Sequence, residues 1–141
     1  MNERILVIED NYEMQDLIKM LLEQEGYEII PAVTGAEGLS ALRGKPELSL
    51  ILLDLTLPDI NADAFLKKIR VENLGNQVPI VFFSAVPRLN QMELPTGVVG
   101  VIQKPFQIHD FLEAINLYKK RTHPIPIKLR KESDRDLNRV G

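Results

Sequence analysis

The sequence has no cysteine, no tryptophan and only two histidines among its 141 residues. Without cysteine there is neither a disulfide framework nor a thiolate metal centre. His109 and His123 stand in unrelated contexts and make no pair for a histidine-based metal or catalytic site. Any metal must therefore be held by oxygen. Apolar runs long enough to cross a bilayer are also missing, and an acidic cluster stands near the N-terminus where a secretory leader would be basic. We expect no membrane insertion and a cytoplasmic protein.

What is present suits one compact domain. The chain is 45% hydrophobic and 26% charged, and its length leaves no room for a second full domain. The formal net charge of -3 conceals an uneven spread. Residues 119 to 141 carry eight Lys/Arg against three Asp/Glu, whereas residues 1 to 118 carry nine against seventeen. We divide the chain into an acidic body, residues 1–120, and a basic, irregular tail or linker, residues 121–141, which carries His-Pro-Ile-Pro-Ile at 123–127. Basic runs of this kind are most often simply solvated. With no helix-turn-helix pattern after it, the tail gives no reason to expect a nucleic-acid partner.

The body alternates short β-rich runs with amphipathic helical stretches, the pattern of an α/β protein with a parallel sheet. Five strands are expected: Ile5 to Ile8, Tyr27 to Pro31, Leu50 to Leu53, Ile80 to Phe83 and Val98 to Ile102. ILVI, LILL and IVFF are apolar on consecutive residues, as in strands covered on both faces, and should be central. Met14, Leu17, Ile18, Leu21 and Leu22 recur at helical spacing and stop at Gly26. Thr34 followed by Glu37 reads as a capping box for a second helix ending near Gly44. Ala62, Phe65, Leu66 and Ile69 mark a third helix, and Ile108, Phe111, Leu112, Ile115 and Tyr118 mark the last. Between Ser84 and Val98 the sequence AVPRLNQMELPTG carries two prolines, which leave at most two turns for a fourth helix.

The polar residues fall at strand ends. Glu9 and Asp10 follow the first strand, Asp54 the third, Ser84 the fourth, and Lys104 lies just beyond the fifth. In an open parallel sheet ligands bind at the carboxyl ends of the strands, so these side chains can meet. Three adjacent carboxylates repel unless a cation compensates, and magnesium fits: it takes one or two carboxylates, keeps waters, and leaves room for phosphate oxygens. Lys104 offers a mobile charge for an anion and Ser84 a hydroxyl donor. Singly, each residue has a plain structural reading: a cap, a loop acid, a turn serine, a surface lysine. The weight lies in four strand ends each presenting the type that phosphate reception needs.

At ILVIEDN, LILLDLTLP, IVFFSA and IQKPF the sequence resembles the response-regulator receiver family, in the right order and over roughly residues 3 to 120. The resemblance implies a (βα)5 doubly wound parallel sheet of order 2-1-3-4-5. It also implies that Asp54 is the phosphoacceptor, Asp10 a direct magnesium ligand, Glu9 a ligand through water, and the Thr56 backbone carbonyl a further ligand. Ser84 and Lys104 would contact the phosphoryl oxygens, and the bond from Lys104 to Pro105 would be cis. The phosphoryl group would come from a sensor histidine kinase, a phosphotransfer protein or a small phosphodonor, and no separate substrate would be turned over. The resemblance names no output protein and leaves a homodimer open.

Three departures from the family pattern concern readout more than chemistry. Val101 stands where an aromatic ring usually precedes the lysine by three positions, Ala62 replaces a usual glycine, and Pro87 and Pro95 interrupt the fourth helical segment. They motivate an alternative expectation, a receiver-fold interaction module that does not signal by phosphorylation. A hydrolytic phosphatase is disfavoured, because Leu55 and Thr56 leave no second acid beside Asp54 to act as general acid/base.

Overall fold

The computed structural model describes residues 2–119; the basic tail at 121–141 lies outside the described residues. Five parallel strands, β1 (Arg4–Ile8), β2 (Glu28–Ala32), β3 (Leu50–Asp54), β4 (Ile80–Ser84) and β5 (Val98–Gln103), form one sheet in the order β2-β1-β3-β4-β5. Helices α1 (Tyr12–Gln24), α2 (Gly35–Arg43), α3 (Ala62–Val71) and α4 (Ile108–Tyr118) cover its faces. The three all-apolar runs are the central strands, as their sequence requires, and β1, β3 and β4 are buried almost throughout. β2, which carries Pro31, sits at the edge, where a missing N–H leaves no ladder bond unmade.

Strand pairing runs one residue further than the apolar runs suggest. Asp54 pairs with Phe83 and Ser84 with Gln103, so both polar residues end strands instead of opening loops. The neighbouring strands extend far enough to pair them, and ladder bonds satisfy their backbones.

Side-chain caps explain where the helices begin. The Oδ1 of Asn11 accepts from Met14 N–H at 2.9 Å, and the Oδ1 of Asn61 accepts from Ala64 N–H at 2.8 Å. Thr34 Oγ1 accepts from Glu37 N–H at 3.0 Å; the returning bond of the box runs from Val33 N–H to Glu37 Oε1 at 3.4 Å. Gly26 ends α1 with a φ of 93°, a left-handed conformation that side chains resist.

Two apolar layers sandwich the sheet. Leu6, Ile8, Ile51, Leu53, Phe82 and Val101 point to α2 and α3, whereas Ile5, Val7, Leu50, Leu52, Val81 and Phe83 point to α1 and α4. Phe65, Phe83 and Phe111 are fully buried, each contributing about 1.5–3 kcal/mol of transfer free energy. Gly100 lets α4 lie close: a Cβ there would fall 2.1 Å from the Tyr118 ring.

The fourth helical segment is reduced to one 3-10 turn, Leu89–Gln91, entered through Arg88 at a φ of 58°. Leu89 is the buried anchor of this segment. A second loop is fastened differently. Asp59, in the connection after β3, accepts from Gly35 N–H at 2.9 Å and Ala36 N–H at 3.0 Å at the start of α2. These donors, Gly35 N–H foremost, hold its carboxyl below the usual range.

Candidate functional site

The strand order places the carboxyl ends of β1, β3, β4 and β5 along one edge, and each delivers a polar side chain there. Glu9, at the end of β1, is 1% exposed and Asp54, closing β3, is 2% exposed. Asp10 is partly exposed beside them. One carboxylate oxygen from each of Glu9, Asp10 and Asp54 lies within 4.8 Å of the others.

Lys104 enters the same cluster from beyond β5. Its Nζ donates to Glu9 Oε1 at 2.5 Å, stands 3.6 Å from Asp54 Oδ2, and lies 4.5 Å above the centre of the Phe83 ring. The ring's negative face adds to the attraction of the two acids. The bond from Lys104 to Pro105 is cis, in agreement with the expectation from the family resemblance.

Asp54 has two differently placed oxygens. Oδ1 accepts from the backbone N–H and the Oγ1 of Thr56, both at 2.9 Å, while Oδ2 faces Lys104. Ser84 is fully buried; its Oγ accepts from Val86 N–H at 3.2 Å, and its carbonyl accepts from Lys104 N–H at 2.9 Å. Val101 is buried in the layer facing α3, and no aromatic ring stands in its place.

Carboxylates this close cannot all ionise freely. Burial, then the hydrogen bond with Asp54, pushes Glu9 up to about 7, against the pull of Lys104. For Asp54 burial acts upward, but the hydrogen bonds from Glu9 and Thr56 and the charge of Lys104 win, and its carboxyl is held below the usual range. Of the pair, Glu9 is thus the easier to protonate and Asp54 the one that stays ionised. Such a cluster fits a hard divalent cation: its donors are all oxygen, and a bound positive charge would remove the burden that falls on Glu9.

Sequence reasoning named Glu9, Asp10, Asp54, Thr56, Ser84 and Lys104, and the fold brings all six to this edge. It passed over Phe83, Asn11, whose N–H donates to Glu9 Oε2 at 3.3 Å, and Gln15, whose amide lies behind Glu9. Gln15 left one signal, a polar residue in the buried stripe of α1 that also holds Ile18, Leu21 and Leu22.

Known proteins resemble the chain in sequence and in fold. The chain is 29% identical over 125 residues to the DNA-binding dual master transcriptional regulator RpaA of Synechocystis, covering 87% of this chain and 52% of that one. It is 27% identical over 120 residues to sporulation initiation phosphotransferase F of Bacillus subtilis, covering 84% and 94% respectively. It therefore spans about half the length of the first relative and nearly all of the second. In three dimensions it resembles the receiver domain of a sensor histidine kinase from Pseudomonas aeruginosa PAO1, at a TM-score of 0.70 and 24% identity over 86% of this chain and 100% of that one. That likeness shows the shared fold; that structure has a magnesium ion coordinated in its active site cleft. The sequence also matches the response regulator receiver domain family over residues 5–116. With the 2-1-3-4-5 sheet and the acidic strand-end cluster, this match assigns the chain to the receiver domain family of two-component response regulators.

Proposed function

We propose that this receiver is a phosphorylation switch in which Asp54 accepts a phosphoryl group from the phosphohistidine of a sensor kinase or phosphotransfer protein. One observation carries the reading: Asp54 is a buried, ionised carboxylate at a strand end, with Lys104 Nζ 3.6 Å away and two further acids beside it. An Asp54 oxygen attacks phosphorus, the O–P bond forms as the P–N bond of the donor breaks, and the imidazole leaves. Glu9, Asp10, Asp54 and the Thr56 backbone carbonyl would hold magnesium, which supplies positive charge against the carboxylates and the incoming phosphoryl group.

The chain's own groups do the positioning. Thr56 fixes the rotation of the Asp54 carboxylate through two donors on Oδ1. Lys104 then exchanges its bond to Glu9 for one to a phosphoryl oxygen, and the Ser84 hydroxyl, which accepts from Val86 N–H, points its own hydrogen toward the same group. The acyl phosphate adds negative charge and acceptor oxygens beside the segment 85–97, and altered binding of an output protein follows from its rearrangement.

Incubating the full chain with acetyl phosphate and magnesium, followed by intact mass measurement, tests this. One phosphoryl increment is expected, lost on mild base treatment and absent in Asp54→Asn. Unmodified wild-type protein would leave the alternative, an interaction module of the same fold that does not signal by phosphorylation.

A further inference from the structure

We propose that Gln15 is a positioning residue for the acidic cluster: it holds the Glu9 peptide, and so fixes the direction in which the Glu9 and Asp10 carboxylates leave β1. This rests on the metal-site reading above and names a residue that touches neither the metal nor the phosphoryl group.

Gln15 lies on the inward face of α1 and is 5% exposed. Its Nε2 approaches three carbonyl oxygens, Val7 at 2.8 Å, Ala32 at 2.9 Å and Glu9 at 3.3 Å. Three acceptors can be faced only by the N–H side of an amide, so chemistry fixes which way the group points. Its Oε1 is then left buried without a partner. An unpartnered buried oxygen is destabilising, and it is offset by N–H groups that serve carbonyls an apolar side chain would leave unmet. Packing alone does not account for a glutamine here.

The geometry shows what it does instead. The Glu9 N–H donates to Ala32 O at 2.9 Å, the same carbonyl that Gln15 reaches, while the Glu9 carbonyl is taken by Gln15 itself. The two peptides that flank Glu9 are therefore held differently, the incoming one against β2 and the outgoing one by α1 through the longest of the three Gln15 bonds. Immediately beyond it stand Asp10 and the helix cap Asn11, whose N–H bonds the Glu9 carboxylate. Without the amide, the turn carrying two of the three acids keeps its strand pairing but loses the restraint on its outgoing carbonyl. Partners behind a ligand typically contribute about 10- to 100-fold in metal affinity.

The test is calorimetric titration of the full chain with magnesium chloride, comparing wild type with Gln15→Met, Gln15→Leu and a control. The control is Ile18→Val, which loosens the same face of α1 without touching the Glu9 peptide. Either Gln15 variant decides the question if its NMR spectrum is that of a folded protein. We expect the magnesium Kd to rise about tenfold in the Gln15 variants and to stay at the wild-type value in the control. A change smaller than about threefold, or an equal rise in Ile18→Val, overturns the positioning role while leaving the metal reading intact. Failure of the wild type to bind magnesium overturns the metal reading, and the role of Gln15 falls with it.

Discussion

The two buried acids of the site respond to pH in opposite directions. Glu9 titrates near 7 in the fold and near 4.5 in the unfolded chain, so without metal the unfolded state ionises first as pH rises. Stability should fall between those values and stay lower above them, by on the order of 1–3 kcal/mol. Asp54 has the reverse sign: its contribution is present above its unfolded value of 3.8 and is lost as pH falls through its lower folded value. Glu9→Gln should therefore stabilise the chelated protein at pH 8 and flatten the decline from pH 5, as read by urea melts. An unchanged slope would mean that another group carries it. Lys104→Met removes the charge shared by Glu9, Asp54 and the Phe83 face. We expect it to fold and to lose the NMR response of Ala85 and Val86 to beryllofluoride. A wild-type response would make Lys104 a bystander.

At the scale of elements, the weak point of the fold is the connection between β4 and β5. Among the described side chains of residues 85–97 only Leu89 is fully buried; the segment forms a single 3-10 turn, and Gln103 Nε2 reaches Val86 O at 3.2 Å. Little buried apolar surface makes a low-stability unit, so its amides should exchange faster than those of β4 and β5 on either side. Beryllofluoride with magnesium should change that exchange, because the Ser84 hydroxyl that would donate to a phosphoryl oxygen also accepts from Val86 N–H at the start of the segment. Strong protection without the mimic would exclude this segment as the signal carrier. The opposite extreme is Gly100, where alanine would drive a Cβ into the Tyr118 ring; Gly100→Ala should lose about 1–3 kcal/mol in a denaturant melt. These two elements also mark how far the sequence could be read. Proline at 87 and 95 is a local signal, and it foretold the shortened helix; continuous apolar runs likewise foretold the central strands. Gly100 reads only as a weak strand residue until α4 is seen folded over it. Asp59 stayed silent for the same reason, and Gln15 showed only as a polar residue in an apolar stripe, since their partners are distant in sequence and a hydrogen bond across elements leaves no period.

For the whole molecule, the acidic edge sets how ligand and fold are linked. If magnesium binds as proposed, a concentration one hundred times its Kd should stabilise the folded state by about 2.7 kcal/mol, and EDTA should reverse the gain. Asp10→Ala should remove most of that gain in a thermal melt while leaving the chelated protein folded; a full magnesium response in Asp10→Ala would exclude it as a ligand. Glu9, Asp10, Asp54, Ser84 and Lys104 could be expected to meet because a parallel sheet gathers strand ends, whatever their separation along the chain, whereas Thr56 entered only through the family resemblance. The bond from Asp59 to α2 carries this gathering one step further. The first two amides of that helix are closed by a carboxylate from the loop that carries Thr56, and Gly35 has no room for a side chain because Ile60 of that loop lies against it. The Gly35 and Ala36 N–H groups are thereby a built-in gauge of the loop. Their NMR resonances should shift with an acid midpoint below that of an ordinary aspartate, and should move again when Asp54 is modified, although neither residue touches it.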